Sequence, residues 1–100
     1  MIDIVSRLHE VKQKTASAVA AVDGDGGASP VLVAVVREFD EKAAKATAAS
    51  NGTARDAVIE LEQAADSARV AATADAGLAA AARESVEDAH LAICILKTEV

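Results

Sequence analysis

The sequence predicts an all-α protein, and three observations support that prediction. Apolar residues recur at alternating steps of four and three, the 3.5-residue period of helices that pack against other helices. About a quarter of the residues are alanine, which has the highest helix propensity. The chain holds one aromatic residue, Phe39, and lacks the alternating β-branched runs of a sheet. We therefore predict a four-helix, up-and-down antiparallel bundle in one domain spanning residues 1–100.

The first helix is predicted at about residues 3–22. Charged residues occupy the positions between its apolar ones, as expected for a helix with one buried face. The Gly-rich stretch 23–27 ends this helix, because glycine readily adopts the left-handed conformation of a helix C-terminus. The predicted core positions are Ile4, Leu8, Val11, Thr15, Ala18 and Val22.

The second helix is predicted at about residues 30–50. Ser29 is a favoured N-cap, and Pro30 suits the first helical position, where no backbone N–H is needed. Asn51 and Gly52 end the helix. The predicted core positions are Leu32, Val36, Phe39, Ala43, Ala46 and Ser50.

The third and fourth helices are predicted at about residues 54–73 and 76–98, with Thr53 as the cap of the third. Because the apolar period continues through residues 73–77, one long helix at 54–98 is the alternative. Asp75 and Gly77 favour the break, since both are poor in a helix interior. The predicted core positions are Ala54, Val58, Leu61, Ala65, Ala68 and Ala72, then Ala79, Ala82, Val86, Ala89, Ile93, Leu96 and Val100.

An alanine-lined core removes little apolar surface from water, so we expect a marginally stable single copy that self-associates. The segment 91–96 is the most apolar in the chain, with apolar residues on more than one face of the helix. We predict that Leu91, Ile95 and Leu96 form an interface with a protein partner or a second copy. The predicted function is protein–protein interaction, as an adaptor, chaperone or regulatory subunit, without catalysis or a cofactor.

The composition of the chain indicates which classes of partner and which cellular compartment to expect. The formal net charge of −6 argues against nucleic acid, because binding phosphate needs clustered basic residues. No apolar run is long enough to span a membrane, so no membrane partner is expected. The single cysteine, Cys94, cannot form an internal disulfide, which favours a reducing cytoplasm. Cys94 stands between two isoleucines and is interpreted as a small buried hydrophobe.

Two further motifs suggest alternative functions. Glu87-x-x-His90 places a carboxylate and an imidazole on one helix face, as in di-iron helical bundles. A metal site at Glu87 and His90, for iron or another divalent ion, would need Glu60 or Glu62 and a second copy to complete it.

His9-Glu10-Val11-Lys12 resembles the His-x-hydrophobic-Lys signature of histidine phosphotransfer domains. Those domains are four-helix bundles with an exposed histidine that accepts phosphate. The resemblance implies that His9 is the phosphoacceptor and that Lys12 helps to hold the phosphate. It covers four residues and departs at Gln13, where the family prefers a small residue.

Overall fold

Four α-helices make up most of the described chain, which in the computed structural model comprises residues 4–48 and 54–99. They are α1 (Ile4–Asp23), α2 (Pro30–Ala48), α3 (Ala54–Ala74) and α4 (Ala80–Glu99). Each helix packs against the next, and α1 also packs against α4, which closes a square. The bundle is a rod 41 Å long. The predicted all-α four-helix bundle is confirmed.

The core lies along the axis of this rod and follows the predicted period. Every predicted position from Leu8 to Leu96 whose side chain is described is buried, except Ala79. Thr15 is the one buried polar residue among the described side chains. The burial of Ile4, Ser50, Ala54 and Val100, and the predicted cap and stop at residues 51–53, lie outside the part that the structure describes.

The fourth helix begins at Ala80, four residues after the predicted start at about residue 76. The alternative of one continuous helix at 54–98 is also wrong, because α3 ends at Ala74. Residues 75–79 form a turn, in which the N–H of Leu78 donates to the carbonyl oxygen of Asp75 at 3.2 Å. This turn rotates the chain, so that Leu78 is buried and Ala79 is exposed. The apolar period continues through the turn in the sequence because Ala79, seven residues after Ala72, is itself apolar, although Leu78 is the residue that is buried.

The start of α2 is as predicted, whereas the reason given for the end of α1 is wrong. The N–H of Leu32 donates to Ser29 Oγ at 3.2 Å, which makes Ser29 the N-cap. No described glycine has a positive φ, so left-handed glycine does not end α1. The end is instead closed by a tighter turn, in which the N–H of Asp25 donates to the carbonyl oxygen of Val22, three residues back, at 3.1 Å.

The two helical hairpins, α1–α2 and α3–α4, are structural repeats related by a shift of 50 residues. α1 and α3 begin 50 residues apart, as do α2 and α4. Every described buried residue of the first hairpin has a buried counterpart 50 positions later. Only eight of the 50 aligned positions are identical, which explains why the sequence alone did not suggest the repeat.

The loops of the two hairpins hold each other at one end of the bundle, in an arrangement that we call the clasp (residues 25–29 and 75–79). Asp25 Oδ2 accepts a hydrogen bond from the N–H of Ala79 at 2.6 Å, and Asp75 Oδ2 accepts one from the N–H of Ser29 at 2.8 Å. Each aspartate therefore binds the backbone at the start of a helix in the other hairpin. This is the role that a capping-box carboxylate plays within one helix.

Candidate functional site

A groove between α1 and α4 holds the most prominent apolar surface among the predicted site residues. Leu91 is 58 % exposed and Ile95 is 46 % exposed, although both are large apolar side chains. They line a cavity of about 190 Å³ together with Val11 and Ala92. Leu96, the third predicted interface residue, is only 1 % exposed and belongs to the core beneath this groove.

The opposite groove, between α2 and α3, provides a comparison within the same molecule. The 50-residue repeat makes Glu41 and Lys45 the counterparts of Leu91 and Ile95. Lys42 is likewise the counterpart of Ala92. The scaffold thus accepts charged side chains at these positions, so the fold does not require apolar ones. The α2–α3 groove also holds a cavity, of about 260 Å³ and lined by Lys42 and Lys45, so the two grooves differ in the chemistry of their lining rather than in open space.

The rim of the α1–α4 groove carries charges of both signs. Arg7, Glu10 and Lys14 line it from α1, and Asp88 lines it from α4. Arg7 Nη1 lies 3.7 Å from Glu10 Oε2, an exposed pair one helical turn apart. Sequence reasoning missed these rim residues, although positions 7, 10 and 14 share one helix face by their spacing. The groove therefore has an apolar floor within a charged rim.

The structure places the predicted metal residues in different surroundings. Glu87 is exposed on α4, whereas His90 Nε2 lies 2.7 Å from Asp66 Oδ1 on α3. Glu60 lines the α2–α3 side, and Glu62 Oε1 accepts a hydrogen bond from Lys97 Nζ at 2.8 Å. Within residues 4–48 and 54–99, no three His, Cys, Asp or Glu side chains form a group that could hold a metal ion.

Cys94 lies one turn after His90, and the structure adds a carboxylate, Asp66, that sequence reasoning missed. Cys94 Sγ is 3.7 Å from both nitrogens of the His90 ring, so neither nitrogen is aimed at the sulfur. Burial raises the pKa of the Cys94 thiol, and the negative charges of Glu62 and Asp66 raise it further. Of these contacts, the one between His90 and Asp66 joins α4 to α3.

His9 is exposed on α1, but Lys12 is already engaged by another partner. Lys12 Nζ lies 2.9 Å from Asp40 Oδ1 on α2, and both side chains are partly buried. The hydroxyl of the buried Thr15 lies 2.7 Å from the same carboxylate oxygen. This network links α1 to α2, so Lys12 would have to leave Asp40 before it helped to hold a phosphate on His9.

A search for membrane-spanning helices and comparisons with known proteins give no functional assignment. Among the described helices, none combines the length and the apolar character needed to cross a bilayer. Comparisons with models of known families, with curated proteins and with solved structures find no significant match to this chain.

Proposed function

We propose that this chain acts through protein–protein contact, and that the groove between α1 and α4 binds an amphipathic helix. The role is that of an adaptor, chaperone or regulatory subunit rather than an enzyme, with no cofactor. The proposal includes a cytoplasmic location, because one unpaired cysteine suits a reducing compartment.

The observation that supports this proposal most strongly is the difference between the two equivalent grooves. Leu91 and Ile95 remain exposed where their counterparts Glu41 and Lys45 are charged. Leaving two large apolar side chains in water lowers solubility without helping the fold. The two side chains would instead stabilise a complex, because a partner that covers them removes apolar surface from water, at about 25 cal/mol per Å².

The test replaces both residues with their counterparts, Leu91→Glu and Ile95→Lys in one chain. We expect this variant to melt at the same temperature as the unmodified protein or higher, because the equivalent groove of the same fold carries charged residues at both positions. Circular dichroism at low protein concentration measures this, since dilution separates any assembly.

The control is Ile93→Ala, which truncates a neighbouring core residue that is 0 % exposed. We expect this control to lose about 2–5 kcal/mol of unfolding free energy and to melt at a temperature lower by roughly 8 °C or more. Should the double variant lose as much stability as this control, Leu91 and Ile95 serve the fold and the proposed function loses its support.

A further inference from the structure

We propose that the occupant of the α1–α4 groove is a second copy of this chain, which pairs with the first about a twofold axis through the groove. This inference rests on the proposed function and names the partner. Three properties of the groove support it: its shape, its charge and its size.

The shape is complementary to itself. A twofold interface uses the same patch on both molecules, so the patch must hold both the projecting and the receiving parts. Leu91 and Ile95 project from α4, one turn apart, and the space over Ala92 and Val11 receives a side chain. A different protein would have to supply matching projections, whereas a second copy already carries them.

The charge favours two copies at this face. The chain has a formal net charge of −6, so two copies repel each other on average. The charged residues lining the groove are two basic and two acidic ones, which balance: Arg7, Lys14, Glu10 and Asp88. Copies that meet here avoid the repulsion, and the rim of each offers both signs to the other.

The size of this side of the bundle allows such a pairing. One long side of the rod measures 41 Å by about 19 Å, an outline comparable with the roughly 800 Å² that each partner buries in a standard interface. The groove covers part of that side, so the interface would extend from the groove along α1 and α4. The apolar centre and charged rim of the groove follow the usual arrangement of such interfaces.

The experiment uses two full-length variants with opposite charges at the centre of the groove. One carries Leu91→Glu and Ile95→Glu, and the other carries Leu91→Lys and Ile95→Lys. Sedimentation equilibrium should give twice the chain mass of 10.1 kDa for the unmodified protein at high concentration. Each variant alone should be a single copy, with a dissociation constant raised by about tenfold or more, because apolar burial is lost and like charges meet.

An equimolar mixture of the two variants should recover the paired mass, because opposite charges then face each other. Only pairing of this surface with itself predicts that recovery. The matched control reverses the charges at the equivalent positions of the other groove, with Glu41→Lys and Lys45→Glu, and should leave association unchanged.

Three results would overturn the inference: an unmodified protein that stays a single copy up to about millimolar concentration, variants that still pair, or a mixture that stays unpaired. None of these outcomes decides the proposed function, which the melting temperature of the Leu91→Glu, Ile95→Lys variant tests separately.

Discussion

At the scale of single residues, the two aspartates of the clasp connect the hairpins. Asp25 accepts hydrogen bonds from the N–H groups of Ala79 and Gly27, at 2.6 Å and 2.9 Å. These bonds favour the ionised carboxylate and lower the pKa of Asp25, with the bond from Ala79 as the larger cause. Its charge also lies at the positive N-terminal end of α4.

The lowered pKa of Asp25 gives a pH-dependent prediction. Stability from a lowered carboxylate pKa is fully present above the pKa of the unfolded chain, about 3.9, and is lost as pH falls through the folded value. Asp25→Asn should therefore melt at a lower temperature than the unmodified protein at neutral pH. Thermal melts between about pH 7 and pH 2 should show that gap closing in acid. A gap that stays constant with pH would contradict the role of the charge.

The close approach of the two loops predicts a different effect at two neighbouring glycines. A Cβ on Gly27 would overlap the carbonyl oxygen of Gly77, whereas one on Gly26 would meet no atom within 4 Å. Gly27→Ala must shift the backbone, so it should lower the free energy of unfolding by about 1–3 kcal/mol. Gly26→Ala should be neutral, or stabilising by up to about 1 kcal/mol, because alanine restricts the unfolded chain. Urea denaturation compares them, and equal stabilities would rule out tight loop packing.

At the scale of elements, α2 and α4 fill the core with complementary sizes. They lie diagonally across the bundle, and their equivalent core residues stand 50 positions apart in the repeat. Four of the five equivalent pairs combine a large side chain on one helix with alanine on the other, and the fifth holds two valines: Leu32 and Ala82, Val36 and Val86, Phe39 and Ala89, Ala43 and Ile93, Ala46 and Leu96. This complementarity lets an alanine-rich core close within one chain.

The size complementarity predicts that two disruptive substitutions compensate for each other. Phe39→Ala alone should cost about 3–5 kcal/mol, because it leaves a cavity at a fully buried site. Ala89→Phe alone should cost about 1–3 kcal/mol through overpacking. Together they exchange the two volumes, so the double variant should be more stable than the sum predicts, by roughly 0.5–3 kcal/mol. Urea denaturation of all four proteins measures this, and strict additivity would show that the two sites do not share space.

Elements with a continuous period were predictable from the sequence, whereas contacts between distant segments were not. The buried faces of α2 and α3 follow directly from the spacing of their apolar residues. The start of α4 was not predictable, because Leu78 is buried from the turn rather than from the helix. The aspartate that binds the start of α4 is Asp25, in a loop of the other hairpin, and no local sequence rule points to it.

Some residues of the candidate site were likewise predictable from the sequence, whereas others were not. Leu91 and Ile95 were recognisable because apolar residues cover more than one face of α4, and both are exposed. Leu96 shares the apolar segment but falls on the core series with Ile93, so its side chain points inward. The pairing of His90 with Asp66 joins residues 24 positions apart, which only the packing of α3 against α4 reveals.

At the scale of the whole molecule, the two hairpins form a nearly symmetric pair, so their order along the chain should matter little. Five residues, 49–53, join α2 to α3. Joining Val100 to Met1 through one added glycine leaves five residues between α4 and α1 as well. A chain that starts at Asn51 and ends at Ser50 then has a connection of the same length, which closes at a similar entropic cost.

We therefore expect this circular permutant to form the same bundle and to melt within about 5 °C of the unmodified protein, a shift worth roughly 1 kcal/mol. The control has the same added junction but is opened between Gly26 and Gly27, which cuts the clasp while leaving all four helices intact. This control should melt well below the first permutant, because Asp25 then lies on a free end and no longer fixes the start of α4. Circular dichroism melts compare the three proteins. Equal melting of the two permutants would show that the hairpins are held by the core alone, whereas unfolding of the first would contradict their equivalence.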